Sequence, residues 1–169
     1  VCSVKRAVNL GAEAVGYTLY IGSESESEQF QEFGKIVEEA HHYHIPVIAW
    51  IYPRGKAIHK DTTTEVLAYA ARVALELGAD IVKIKYHNEL EGFKWVVESA
   101  GKTKVVVAGG SKMGIANLLQ QTYDIMQAGA SGIAIGRNIW QHKDPLKITK
   151  ALKSIIFNHK TPEEAKKYL

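Results

Sequence analysis

Apolar positions along the chain follow two rhythms that take turns. Residues 14–21, 46–52, 79–86 and 104–108 are short runs, apolar on both faces, and read as buried strands. A fifth such run opens the segment 132–138 and leads into Gly136-Arg137-Asn138. Between them the spacing changes to threes and fours. Phe30, Phe33, Ile36, Val37 and Ala40 mark one helix face, and Val66, Leu67, Ala70, Ala71, Val73, Ala74 and Leu77 mark a longer one. Phe93, Val96 and Val97 mark a third, residues 115–127 a fourth, and Leu146, Ile148, Leu152 and Ile155 a last. A short helix over Val4, Ala7, Val8 and Leu10 precedes the first strand, with Ser3 to cap it and Gly11 to stop it. Thr161-Pro162 can start one more helical turn near the end.

Strands apolar on both faces that alternate with helices describe a parallel sheet shielded by helices, an α/β fold. The junctions also repeat: Leu10-Gly11-Ala12, Leu77-Gly78-Ala79 and Ala128-Gly129-Ala130 all place glycine past a helix and alanine before a strand. That echo suggests one βα unit duplicated, as in a TIM (β/α)8 barrel. Strand starts fall about every 30 residues, so eight units need about 240, the usual barrel length. Five strands cannot close such a barrel. The expectation is therefore an open doubly wound sheet or an incomplete barrel, and the start at Val1 rather than methionine favours the barrel with upstream units missing.

Composition narrows the partners. The 169 residues are 46% hydrophobic and 23% charged, ordinary for one globular domain, residues 1–169. With 21 basic and 18 acidic residues interspersed, no nucleic-acid or membrane field is expected. No apolar run approaches the roughly 18 residues of a spanning helix. A single cysteine, Cys2, fits a reducing cytosol, so a cytoplasmic protein is expected. The Ser-Glu repeat at 23–28 reads as an acidic cap on the helix that follows. His41, His42 and His44 read as cations at a helix C-terminus, and neither metal nor cofactor is expected.

The chemistry centres on the third strand, which carries Lys83 and Lys85 two residues apart and so on one face. A lysine in so apolar a run finds an acid, reaches water, or loses its charge and becomes an amine nucleophile; the alternative is a simple cap on the strand's solvent end. Trp50 and Tyr52 share a face of the second strand, next to Pro53-Arg54-Gly55. Gly109-Gly110 after one strand and Gly136-Arg137 after the next offer backbone N–H groups and a charge that together suit a phosphate. In barrels the loops after strands 7 and 8 are the recurrent phosphate site.

Together, Gly16-Tyr17-Thr18, Trp50-Ile51-Tyr52-Pro53-Arg54-Gly55, Tyr69-Ala70-Ala71-Arg72, the strand through Lys83 and Tyr86, Ala108-Gly109-Gly110 and Gly136-Arg137-Asn138-Ile139-Trp140-Gln141 resemble the archaeal-type class I fructose-1,6-bisphosphate aldolases over almost the whole chain. The resemblance implies a (β/α)8 barrel of which this chain supplies the fourth to eighth units. It implies Lys83 as the Schiff-base lysine, Tyr52 as the proton-transfer residue and Trp50 as a wall of the sugar site. Arg54 is implied at a phosphate or other substrate charge. Lys85 is implied either as a positive neighbour of the amine or as a solvated cation near phosphate. Gly109, Gly110, Gly136 and Arg137 are implied at phosphate. The activity implied is cleavage or formation of fructose 1,6-bisphosphate in glycolysis and gluconeogenesis, by a homo-oligomer that uses no cofactor. Two alternatives stand beside it. One is a 2-amino-3,7-dideoxy-D-threo-hept-6-ulosonate synthase-like enzyme, which the segment from Gln141-His142 onward also resembles. The other is a half-barrel without activity, since residues 1–169 alone lack the implied first strand and its acidic and histidine groups.

Overall fold

A computed structural model describes residues 2–169; Val1, on which the reading of the chain's start rests, lies outside the described residues. After helix α1 (Val4–Asn9), strands and helices alternate: β1 (Val15–Leu19), α2 (Glu26–His42), β2 (Val47–Ile51), α3 (Thr64–Glu76), β3 (Ile81–Ile84), α4 (Leu90–Ser99), β4 (Lys104–Ala108), α5 (Ile115–Gln127) and β5 (Gly132–Ala134). The four-residue α6 (Arg137–Trp140), α7 (Pro145–Asn158) and α8 (Pro162–Ala165) complete the chain with a final 3₁₀ turn.

All five strands are parallel and lie in chain order, β1-β2-β3-β4-β5. A doubly wound sheet reverses its order at a switch point, and this one does not. It is part of a TIM barrel. One face of each strand is packed under the helices: Leu19, Val47, Ala49, Ile51, Val82, Ile84, Val105 and Val107 are buried there with Phe33, Leu67, Phe93 and Val96. A smaller cluster of Leu118, Leu119, Ile148, Leu152 and Ile155 joins α5 to α7.

The other face is the barrel interior, and the strand register arranges it in rows. Thr18 pairs with Trp50, Trp50 with Lys83, Lys83 with Val106, and Val106 with Gly132. One layer nearer the strands' C-terminal ends lie Tyr52, Lys85, Ala108 and Ala134, all facing the same cleft.

The helix starts expected at Ser3 and Thr161 form: Ser3 accepts from Arg6 N–H, and Thr161 and Glu164 make a reciprocal capping box. Thr63 and Asp144 cap two more helices, accepting from Val66 N–H and Lys147 N–H. In the Ser-Glu repeat, Glu26 and Glu28 lie in the first turn of α2, and the Glu26 carboxylate accepts the Gly22 N–H at 2.6 Å. Two expectations need correction. The third strand is shorter than residues 79–86, because Ala79 N–H still bonds to Ala74 O at the end of α3, and Lys85 and Tyr86 lie beyond the last ladder pair. The segment 132–138 is not extended to its end either: Gly136 caps α6, so Arg137 and Asn138 ride on a helical turn.

Candidate active site

The C-terminal ends of β2 to β5 surround an open cleft of about 480 Å³, and Tyr52, Lys83, Lys85, Gly109, Gly110, Gly136 and Arg137 all line it. Residues separated by up to 85 positions in sequence thus share one cleft because consecutive parallel strands deliver their loops to the same end.

Lys83 stands on the inner face of β3, half-buried, with its Nζ 5.9 Å from the centroid of the Trp50 ring. That separation lies within cation–π range. Trp50 is deeper on the inner face than the cleft wall itself and is 38% exposed. Tyr52 follows β2 and extends its ladder by donating its N–H to Leu19 O at 2.9 Å. The phenol is therefore held by backbone as well as by packing.

Lys85 is neither free nor simply solvated. Its Nζ pairs with the carboxylate of Asp61, which comes from the loop between β2 and α3. Arg54 stands outside the cleft lining; its guanidinium lies 5.6 Å from the Tyr52 ring centroid and 5.8 Å from that of Tyr20. Its N–H also bonds to Ile21 O at 2.8 Å, so the Pro-Arg-Gly turn packs on the first βα loop and the two tyrosine rings.

The glycine loop has its own support. Gly110 holds φ +58°, a left-handed conformation that suits glycine, and a Cβ on Gly109 would come within 2.6 Å of the Ile135 Cβ. The loop after β4 and the segment after β5 touch there. Asn138, almost fully buried, fixes this contact: its amide donates to Gly109 O at 3.3 Å and Ser111 O at 3.2 Å, and accepts Met113 N–H at 2.9 Å. Arg137 donates to Gly110 O at 2.6 Å. Among the described residues, the N–H groups of Gly110 and Ser111 have no internal partner, which leaves them available to an anion.

Three residues of this site have no assigned role in the reading of the sequence: Asp61, Asn138 and Tyr86. Tyr86 lines the cleft beside Lys85 and packs edge-on against Phe93 at 4.9 Å. Burial pushes its phenol above the ordinary value, and Asp124 and Glu89 push the same way, so the phenol keeps its proton at neutral pH. The histidine run has a structural use at the opposite end of the barrel, where His41 Nε2 lies 2.9 Å from the Asp80 carboxylate.

A lysine, a phenol and two glycine-containing loops with an arginine share one cleft, and the chain that carries them is similar to known proteins. The chain is 46% identical over 160 residues to the class 1 fructose-bisphosphate aldolase of Thermoproteus tenax, covering 94% of this chain and 61% of that protein. It is 42% identical over 168 residues to 2-amino-3,7-dideoxy-D-threo-hept-6-ulosonate synthase 1 of Archaeoglobus fulgidus, covering 99% of this chain and 62% of that one. A solved archaeal fructose-1,6-bisphosphate aldolase, with its catalytic lysine covalently bound to a carbinolamine intermediate, superposes with a TM-score of 0.89 at 46% identity, over 92% of this chain and 62% of that one. The chain thus spans about three fifths of the length of the proteins it matches. Residues 1–142 match the family described as DeoC/LacD family aldolase, and the chain belongs to that family.

Proposed function

We propose that the protein is a class I aldolase that cleaves and forms fructose 1,6-bisphosphate, with Lys83 as the covalent nucleophile. The observation that carries this reading is the position of Lys83: on the inner face of β3, next to Trp50 in register, in one cleft with Tyr52 and the Gly109-Gly110 and Gly136-Arg137 segments. The Lys83 amine adds to the ketone carbon, and loss of water leaves an iminium. Tyr52 supplies the proton on which that water leaves and becomes a phenolate; as the bond between carbons 3 and 4 breaks, its electron pair moves into the iminium, and the proton of the carbon-4 hydroxyl passes to the Tyr52 phenolate. Glyceraldehyde 3-phosphate leaves; protonation of the enamine and hydrolysis then release dihydroxyacetone phosphate and free Lys83. The glycine N–H groups and Arg137 hold a phosphate, which fixes the scissile bond over the amine. Arg54 braces Tyr52 in this scheme, and Lys85, paired to Asp61, supplies charge at the cleft wall. The same reaction serves glycolysis in one direction and gluconeogenesis in the other.

The 42% identity to the heptulosonate synthase supports a second reading, in which the same lysine and phosphate cradle act on a different acceptor. Borohydride trapping with dihydroxyacetone phosphate, followed by peptide mass mapping of the full-length protein, tests the lysine. Label is expected on Lys83, and Lys83→Ala is expected to lower turnover at least about a thousandfold. Label on Lys85, or none, overturns the mechanism. Turnover of fructose 1,6-bisphosphate separates the two substrate readings. Residues 1–169 form one domain in this scheme, the fourth to eighth units of the barrel, and by themselves are expected to turn over little or no substrate.

A further inference from the structure

Gly16 sits in the middle of β1, on the inner face that also carries Thr18, and pairs with Ile48 in the ladder. Glycine weakens a strand, through backbone entropy and the loss of a packing side chain. Nothing in its backbone calls for it here, since Gly16 lies outside the left-handed region that other residues avoid. What excludes a side chain is the neighbouring indole. A Cβ on Gly16 would lie 2.7 Å from Trp50 Cζ2, 2.9 Å from Cε2 and 3.2 Å from Cη2. The Trp50 ring therefore lies diagonally across β1, in the space the missing side chain leaves. On its other side Trp50 pairs with Lys83, whose Nζ is 5.9 Å from the ring centroid.

We propose that Gly16 is a positioning residue for the Lys83 amine, acting through Trp50. Only with the indole laid down over Gly16 does its face meet the lysine; with a methyl group at position 16 the ring has to tilt away, and the support under Nζ moves with it. The inference rests on the reading of Lys83 as nucleophile, and it concerns how the amine is aimed rather than what it attacks. Since Gly16 is remote from the phosphate cradle, its effect falls on the chemical step.

The test is a double-mutant cycle in the full-length protein with Gly16→Ala, Trp50→Phe and the pair. Phenylalanine lacks the Cζ2 and Cη2 atoms of the indole benzo ring, so it clears a methyl at position 16. Gly16→Ala is expected to lower kcat for fructose 1,6-bisphosphate and the rate of borohydride trapping by about tenfold. Its KM is expected to stay within about twofold, and the near-UV circular dichroism of the indoles to change. In the Trp50→Phe background the same substitution is expected to change kcat and the dichroism by less than about twofold. Equal losses in both backgrounds, or a Gly16→Ala protein with wild-type kcat and dichroism, overturn the proposal. Should Gly16→Ala fail to fold, recovery of folding in the pair supports the seat, and failure of the pair to fold as Trp50→Phe does overturns it. A wild-type protein that is never trapped by borohydride overturns the aldolase reading instead, and the dichroism cycle still decides whether Gly16 seats Trp50.

Discussion

Asn138 makes three hydrogen bonds with one buried side chain and thereby ties the loop after β4 to the turn after β5. Replacing it by alanine strands Met113 N–H and two carbonyls at a half-buried seam. We expect Asn138→Ala to lower the free energy of unfolding by about 1–3 kcal/mol in urea titration, the penalty for leaving buried polar groups unpaired. On the proposed function, KM for fructose 1,6-bisphosphate should rise with it, because the glycine N–H groups lose their fixed aim. Asn138 could be seen in the sequence only as part of a Gly-Arg-Asn segment. Its three partners lie 25 to 29 residues upstream, and nothing local announces them. The same holds for Asp61, which reaches Lys85 from 24 residues away along an irregular loop. Lys83 and Tyr52, by contrast, stand on or directly beside apolar strands, where a period of two states which face a side chain takes.

At the level of elements, the junction between α2 and the sheet depends on Asp80. Its carboxylate accepts Val47 N–H at 2.8 Å and meets His41 at 2.9 Å, holding the end of α2 and the start of β2 against β3. Burial raises the carboxyl's pKa, but the Val47 and His41 hydrogen bonds outweigh it, and the net direction is down. A folded pKa below the unfolded one contributes stability that is present above pH ~4 and is lost as pH falls through the lowered folded value. Asp80→Asn should therefore be less stable than wild type at pH 7, and the gap between their urea midpoints should close as pH drops below about 4. A constant gap across that range would assign the loss to shape rather than charge. Two helix starts were legible because capping is local: Ser3 and Thr161 each satisfy an amide three residues on. Element ends were less so. The boundary of β3 depends on its pairing with β2 and β4, which come from other parts of the chain, while α6 closes on local bonds to Gly136 O and Arg137 O that the apolar run before it does not announce.

For the molecule as a whole, the repeated βα unit and the parallel sheet were legible in the echo of Gly-Ala junctions and in strands apolar on both faces. The distinction between a barrel segment and a doubly wound sheet was not, since both are built from βαβ units; the unbroken order β1 to β5 decides it. Among the described residues, β1 and β5 each present an unpaired edge, and the inner face shows Trp50 to solvent. Exposed parallel edges of this kind recruit other strands. The 169-residue polypeptide expressed by itself should accordingly self-associate, with light scattering giving a mass above that of one chain; a stable monomer at high concentration would show that its edges are blunted in some other way.

The rows of the inner face carry one more consequence. Trp50 faces Lys83 because the β2–β3 register pairs Ile48 with Ile81, Ala49 with Val82 and Trp50 with Lys83, and a slip of one position would turn Lys83 toward the helices and bring Ile84 to the cleft. Aim is therefore quantised by the ladder. The connections beyond the strand ends can lengthen, shorten or change their chemistry without moving Lys83, whereas one residue added inside β3 turns it away. Substrate range in such a protein is free to drift through its loops, while the reaction itself is locked to the count of residues in a four-residue strand.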